Sequence, residues 1–126
     1  MVANEPLQDY RILIVEDEMM IAMLLEDMLL DLGCTVVGPG SALEPALELA
    51  TADDALDAAI LDVNLAGKPV FPVADVLRAK GVPIIFSSGY GDAGLRDVDR
   101  GAQVLQKPFR AGELATALKA ALAGAN

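Results

Sequence analysis

The sequence predicts an α/β domain, a parallel β-sheet with helices packed on both faces. Five short apolar runs alternate with longer segments whose apolar residues recur at helical spacing. The runs are continuously apolar, which is the pattern of strands covered on both sides. Four of the five end in polar residues: Glu16-Asp17, Asp62, Ser88 and Lys107. A parallel sheet gathers such residues at the carboxyl edge of its strands, where ligands of open α/β sheets bind.

Arg11-Ile12-Leu13-Ile14-Val15 reads as the first strand and runs directly into the acidic triplet Glu16-Asp17-Glu18. A cluster like this is tolerated when it is solvated or holds a cation. The spacing predicts a helix over 19–32, stopped by Gly33, with Ile21, Leu24, Leu25, Met28 and Leu32 as its core stripe. Met19, Met20 and Met23 fall outside that stripe, and serve either as an adaptable docking surface or as extra packing. Thr35-Val36-Val37-Gly38 is a short second strand and Pro39-Gly40-Ser41 a turn. Ser41 is expected to cap a helix over 42–52, with Glu44 completing a capping box.

The central strand, Ala59-Ile60-Leu61, ends at Asp62 and breaks at Gly67-Lys68-Pro69. A helix over 71–80 ends at Gly81. Pro83-Ile84-Ile85-Phe86 is the fourth strand, followed by Ser87-Ser88-Gly89-Tyr90-Gly91. The segment 92–100 is charged and poor in apolar spacing, so any helix there is expected to be brief and loosely held. A fifth strand over 102–106 precedes Lys107-Pro108-Phe109, and a last helix spans 111–122. The expected count is five strands and five helices, one domain over 1–126 with its ordered core at about 10–123 and no output domain.

Composition excludes several chemistries. The chain has no histidine and one cysteine, which rules out a Cys/His zinc site, Ser-His-Asp or Cys-His catalysis and a histidine phosphoacceptor within it. Net charge is -10, and residues 1–62 hold 14 of the 19 acids but only one base, Arg11. Nucleic-acid binding is therefore not expected, whereas a basic partner surface or a divalent cation is. No apolar run is long enough to span a bilayer, and residues 1–10 show no signal pattern, so a cytoplasmic protein is the expectation.

The residue types at the predicted edge suit one reaction. A carboxylate can attack phosphorus and form an aspartyl phosphate, and phosphoryl transfer otherwise needs positioning and charge neutralisation. Asp17, Asp62, a backbone carbonyl and Glu16 are oxygen ligands suited to magnesium. Lys107 supplies a mobile point charge and Ser88 a hydroxyl donor.

Glu16-Asp17, Asp62, Ser88 and Lys107-Pro108, at these spacings and on these strands, resemble the receiver domains of two-component response regulators. The resemblance covers nearly everything from Arg11 to Leu122. It implies a flavodoxin-like (βα)5 fold with strand order 2-1-3-4-5, and phosphorylation of Asp62 by a sensor histidine kinase or a histidine phosphotransfer protein. It also implies Mg2+ (or Mn2+) on Asp17, Asp62 and the backbone carbonyl of Asn64, with Glu16 assisting through water, and a cis Lys107–Pro108 peptide.

Two features depart from the common pattern. Val104 stands three places before the lysine, where the family usually carries an aromatic switch residue. Phe86-Ser87-Ser88-Gly89-Tyr90 resembles the Phe-x-Thr/Ser-Gly-Tyr/Gly signature of an atypical alphaproteobacterial subgroup associated with HWE-type kinases. Gly89, Tyr90, Val104 and Pro108 are accordingly the switch positions. In place of an aromatic rotamer, the switch expected here is a reordering of the weakly packed segment 89–100. Met19, Ala22 and Met23, beside the acidic residues, are the expected kinase-docking face, and output is expected through protein contact.

Three other readings stand beside this one. A haloacid-dehalogenase-type phosphatase normally has a second acid two places after its nucleophile, where this chain has Asn64. A flavodoxin-type mononucleotide binder shares the fold, but Glu16-Asp17-Glu18 would repel a phosphate. The third is a receiver-like adaptor that works without phosphorylation.

Overall fold

A computed structural model describes residues 8–89 and 94–124. Five parallel strands form the main sheet: β1 (Arg11–Val15), β2 (Thr35–Gly40), β3 (Ala58–Asp62), β6 (Ile84–Ser88) and β7 (Gln103–Gln106). Their order is β2-β1-β3-β6-β7, which is 2-1-3-4-5 when the sheet strands alone are counted. A two-stranded hairpin, β4 (Asn64–Leu65) and β5 (Lys68–Pro69), follows β3. The helices are α1 (Met19–Asp31), α2 (Leu43–Ala52), α3 (Phe71–Ala79) and α4 (Ala111–Ala123). None of the described helices is long and apolar enough to cross a membrane.

Strand alternation divides the core in two. Leu13, Val15, Leu61 and Phe86 pack with Ala46 and Ala50 of α2 and Val73 and Leu77 of α3. Ile12, Ile14, Ile60 and Ile85 turn the other way, onto Leu25 and Leu29 of α1 and Leu114 and Leu118 of α4. Each large side chain withdrawn from water in this way contributes about 1.5–3 kcal/mol. Both faces of the sheet are thereby covered, and only its strand ends are left for chemistry.

Two helix ends behave as the sequence predicts. Gly33 and Gly81 take φ values of 90° and 76° just past α1 and α3. At each, paired hydrogen bonds close the last turn: Cys34 N–H to Leu29 C=O with Gly33 to Leu30, and Val82 to Leu77 with Gly81 to Arg78. Lys80 Nζ then donates to the Ala50 and Thr51 carbonyls at 2.9 and 2.7 Å, so α3 caps the carbonyl end of α2.

Other expectations are corrected. The buried line of α1 is Ala22, Leu25 and Leu29, while Leu24 is 56% exposed and Ile21, Met28 and Leu32 pack only partly. Glu26, Asp27 and Asp31 are its only charged residues, so apolar spacing alone underdetermines which face turns inward. β2 runs on to Gly40 through a cis Gly38–Pro39 peptide. The helix therefore starts at Leu43 behind Ala42, with no side-chain cap, and Ser41 does not cap it. Gly40 is required here: a Cβ would lie 2.8 Å from the Ala46 Cα. The expected loop after Asp62 is the β4–β5 hairpin, whose two turn residues, Ala66 and Gly67, have φ of 53° and 85°. Both are left-handed, as this tight hairpin requires, at a cost of about 1 kcal/mol for the alanine.

The largest departure lies between β6 and β7. Residues 90–93 are outside the described set; between them and β7 the only described helical element is a 3-10 turn, Asp97–Asp99, so the described α-helices number four and not five. The turn is also not loosely held. Leu95 is 5% exposed and Asp99 is 0% exposed. Arg78 of α3 donates to Asp99 Oδ1 at 2.6 Å, and Arg96 Nε donates to Oδ2 at 2.7 Å. Arg96 also reaches Asp75 at 2.8 Å, and its guanidinium sits 4.5 Å from the centre of the Phe71 ring. The charges of this segment are turned onto α3 and anchor it where apolar residues are scarce. Burial alone pushes the Asp99 carboxyl up, but the hydrogen bonds and charges of Arg96 and Arg78 outweigh it and hold it below its ordinary range.

Removing that carboxylate leaves two guanidinium groups without their buried partner. Asp99→Asn should lower stability at pH 7 by about 2–4 kcal/mol in urea unfolding. Because the Asp99 pKa is depressed, its contribution is present above about pH 4 and is lost as pH falls through the folded value, so the gap to wild type should close in acid. A wild-type midpoint at pH 7 would contradict the clamp.

Candidate functional site

From β1 the chain turns to β2 on one side and later returns to β3 on the other, which opens a crevice between the carboxyl ends of β1 and β3. Glu16 and Asp17 follow β1, Asp62 closes β3, Ser88 closes β6 and Lys107 follows β7. The fold brings Glu16, Asp17, Asp62 and Lys107 to one point. One carboxylate oxygen from each of Glu16, Asp17 and Asp62 lies within 4.8 Å of the others. Lys107 Nζ is 3.1 Å from Glu16 Oε1 and 3.5 Å from Asp62 Oδ2.

Glu16 is 1% exposed and Asp62 8%. Burial, and then the negative charge of Glu16, push the Asp62 carboxyl up to about 7, against the opposing pull of Lys107. Burial works to lower the Lys107 ammonium pKa, but the Glu16 hydrogen bond and the charges of Asp62 and Glu16 prevail and raise it. One ammonium thus fails to balance three carboxylates. The donors are all hard oxygens, and the remaining negative charge fits a divalent cation such as magnesium. Asn64 N–H donates to Asp62 Oδ1 at 3.4 Å, so the backbone at the start of the hairpin bends around the Asp62 carboxylate.

Ser88 is 5% exposed and stands one residue beyond the Asp62–Ser87 register pair. Its carbonyl accepts the Lys107 backbone N–H at 2.8 Å, which ties the end of β6 to the base of the lysine. The Lys107–Pro108 peptide is cis, as the resemblance implies. Gly89 is exposed, Tyr90 lies outside the described residues, and Val104 pairs with Phe86 and packs against the core. The premise of a weakly packed 89–100 segment fails from Leu95 onward, where the Arg78–Asp99–Arg96 clamp holds it.

On the expected docking face, Met19 and Met23 are 66% and 56% exposed, but Ala22 is buried at 3% and belongs to the core. It is buried along with Leu25 and Leu29 of the same helix. Met20 and Leu24 are exposed instead. Beside them, Ile21, Leu24, Met28, Lys107, Pro108 and Phe109 line an apolar cavity of about 310 Å³ that sequence reasoning missed, because its walls come from opposite ends of the chain.

Comparison with known proteins agrees with this geometry. The family model of the response regulator receiver domain matches residues 12–119. The chain is 31% identical over 114 residues to the phyllosphere-induced regulator PhyR of Methylorubrum extorquens, covering 88% of this chain and 43% of that protein. It therefore spans less than half of that relative. The solution structure of SdrG from Sphingomonas melonis Fr1 is 44% identical with a TM-score of 0.80, covering 90% of this chain and 97% of that one. The receiver domain of sensor histidine kinase PA1611 from Pseudomonas aeruginosa, solved with a magnesium ion in its active-site cleft, is 26% identical with a TM-score of 0.75, over 92% and 99% of the two chains. This chain belongs to the response regulator receiver domain family, and its likeness to PhyR and SdrG groups it with the atypical alphaproteobacterial receivers.

Proposed function

We propose that this domain accepts a phosphoryl group on Asp62 within a two-component phosphorelay and signals by protein contact. The observation that carries the proposal is the buried Asp62 carboxylate at the end of β3, focused on by Glu16, Asp17 and Lys107 from two other strands. An Asp62 oxygen attacks phosphorus, and the bond from phosphorus to the donor's imidazole nitrogen breaks, its electron pair leaving with the imidazole. Residues 1–126 hold no histidine, so the donor histidine lies outside this domain, on a sensor histidine kinase or a histidine phosphotransfer protein. Lys107 neutralises a phosphoryl oxygen, and the Ser88 hydroxyl donates to another. Asp17, Asp62 and the Asn64 carbonyl, with Glu16 through water, would hold Mg2+ or Mn2+. When bound, that ion supplies charge neutralisation for the transferred group. Phosphotransfer and later hydrolysis are self-catalysed, in a signalling domain acting in the cytoplasm.

With Mg2+ and acetyl phosphate, intact-mass measurement should show gain of one phosphoryl group, abolished in Asp62→Asn. A folded, magnesium-binding protein that gains no mass would favour the phosphorylation-independent adaptor instead.

The exposed Met19 and Met23 support docking of the kinase, of HWE type by the subgroup's association, on this end of α1. Met23→Glu should slow transfer from the partner about tenfold and leave acetyl phosphate labelling unchanged; equal loss with both donors would exclude that face.

The raised Asp62 pKa also predicts a pH dependence. Between about pH 4 and 7 the unfolded chain has released a proton that folded Asp62 keeps. Stability of the metal-free protein should therefore be highest below about pH 4 as far as this group is concerned, fall as pH rises through 7, and then level off. Asp62→Asn should remove that slope and raise stability at pH 7.5 by about 2 kcal/mol. Magnesium should stabilise wild type more than this variant. A variant less stable than metal-free wild type at pH 7.5 would contradict the charge crowding.

A further inference from the structure

Both oxygens of Glu16 are committed within the chain. Oε2 accepts the Glu18 backbone N–H at 3.1 Å, and Oε1 accepts a hydrogen bond from Lys107 Nζ at 3.1 Å. The lysine head lies nearer to Glu16 than to Asp62, whose Oδ2 is 3.5 Å away. Glu18 directly precedes α1, so the glutamate's orientation is set at the junction of β1 and α1. At its other end, Lys107 is fixed by its backbone N–H on the Ser88 carbonyl. A lysine is a point charge on a flexible stem and acts at a defined place only when something holds its head.

We infer that Glu16 is the positioning residue of Lys107, seating its ammonium beside Asp62, in addition to any service toward a cation. The inference rests on the phosphoacceptor reading above and deepens it. A preorganised charge spares the site the reorganisation that a freely rotating lysine would need as the phosphoryl group arrives. Side-chain length is what separates this role from metal binding. Aspartate at position 16 keeps the negative charge but withdraws the carboxylate by one carbon–carbon bond, about 1.5 Å. That takes a 3.1 Å contact out of hydrogen-bonding range. Glutamine is no substitute for this control, because it has one acceptor oxygen where Glu16 uses two, against the Glu18 N–H and the Lys107 ammonium.

The test uses Glu16→Asp, Lys107→Ala and the Glu16→Asp/Lys107→Ala double variant. In metal-free protein, the Lys107 ammonium signal in nitrogen-edited NMR should be sharp in wild type and broadened or lost in Glu16→Asp. At saturating Mg2+, Glu16→Asp should label with acetyl phosphate about tenfold more slowly, with Mg2+ affinity within about threefold of wild type. The double variant should be no slower than Lys107→Ala alone, since the glutamate acts through the lysine. A sharp ammonium signal with a wild-type rate in Glu16→Asp would overturn the inference, as would a further loss in the double variant. If Glu16→Asp does not fold, a wild-type Lys107 ammonium signal in metal-free protein as broad as that of a solvent-exposed lysine would overturn it. The ammonium signal is read without metal or phosphodonor, so its outcome is distinct from a failure of wild type to form an adduct, which would remove the phosphoacceptor reading itself.

Discussion

The central constraint in this domain is the crowding of Glu16, Asp17 and Asp62 around a single ammonium, Lys107. Three carboxylates this close, two of them almost out of water, are unfavourable to one another unless a positive charge is held among them. Much of the surrounding architecture serves to hold it there. β1 and β3 sit side by side and bring in the acids, while β7, three strands from β1 in the sheet, brings in the lysine. The hydrogen bond from Lys107 N–H to the Ser88 carbonyl sets where the lysine starts, and Glu16 sets where it ends. The site is therefore tense without a cation, and that tension favours cation binding.

A second electrostatic device does a different job. Asp99, fully buried between Arg78 and Arg96, ties the 3-10 turn to α3 in a stretch whose apolar residues are too few to pack a helix. Here the balance is reversed: two guanidinium groups more than compensate the burial of one carboxylate, whose pKa falls while that of Asp62 rises. One network stabilises the fold and the other stores a charge imbalance at its functional edge. The clamp holds the described segment from Leu95 onward against α3.

The sequence was legible wherever one local feature decided the outcome. Continuous apolar runs identified the sheet strands, and Gly33 and Gly81 marked two helix ends, because only a residue tolerant of positive φ closes a helix that way. The convergence of Glu16, Asp17, Asp62 and Lys107 was legible from the polar residues at the strand ends. It was not legible where a choice depended on distant partners. Nearly every face of α1 is apolar, so the sheet, and not the helix pattern, selects Ala22, Leu25 and Leu29 for burial. The inward turn of Asp99 depends on Arg78, 21 residues earlier, and the grip of Glu16 on Lys107 spans 91 residues. The cis Gly38–Pro39 peptide and the left-handed Ala66 carry no local signal as strong as a glycine at a helix end.

The most direct test of the charge-crowding account is a titration of the Asp62 carboxyl carbon by NMR, with and without magnesium. The account predicts a midpoint near 7 in metal-free protein, set by burial and the neighbouring Glu16, and a fall of at least two pH units at saturating Mg2+. A metal-free midpoint at the ordinary carboxylate value near 4, unmoved by magnesium, would contradict it.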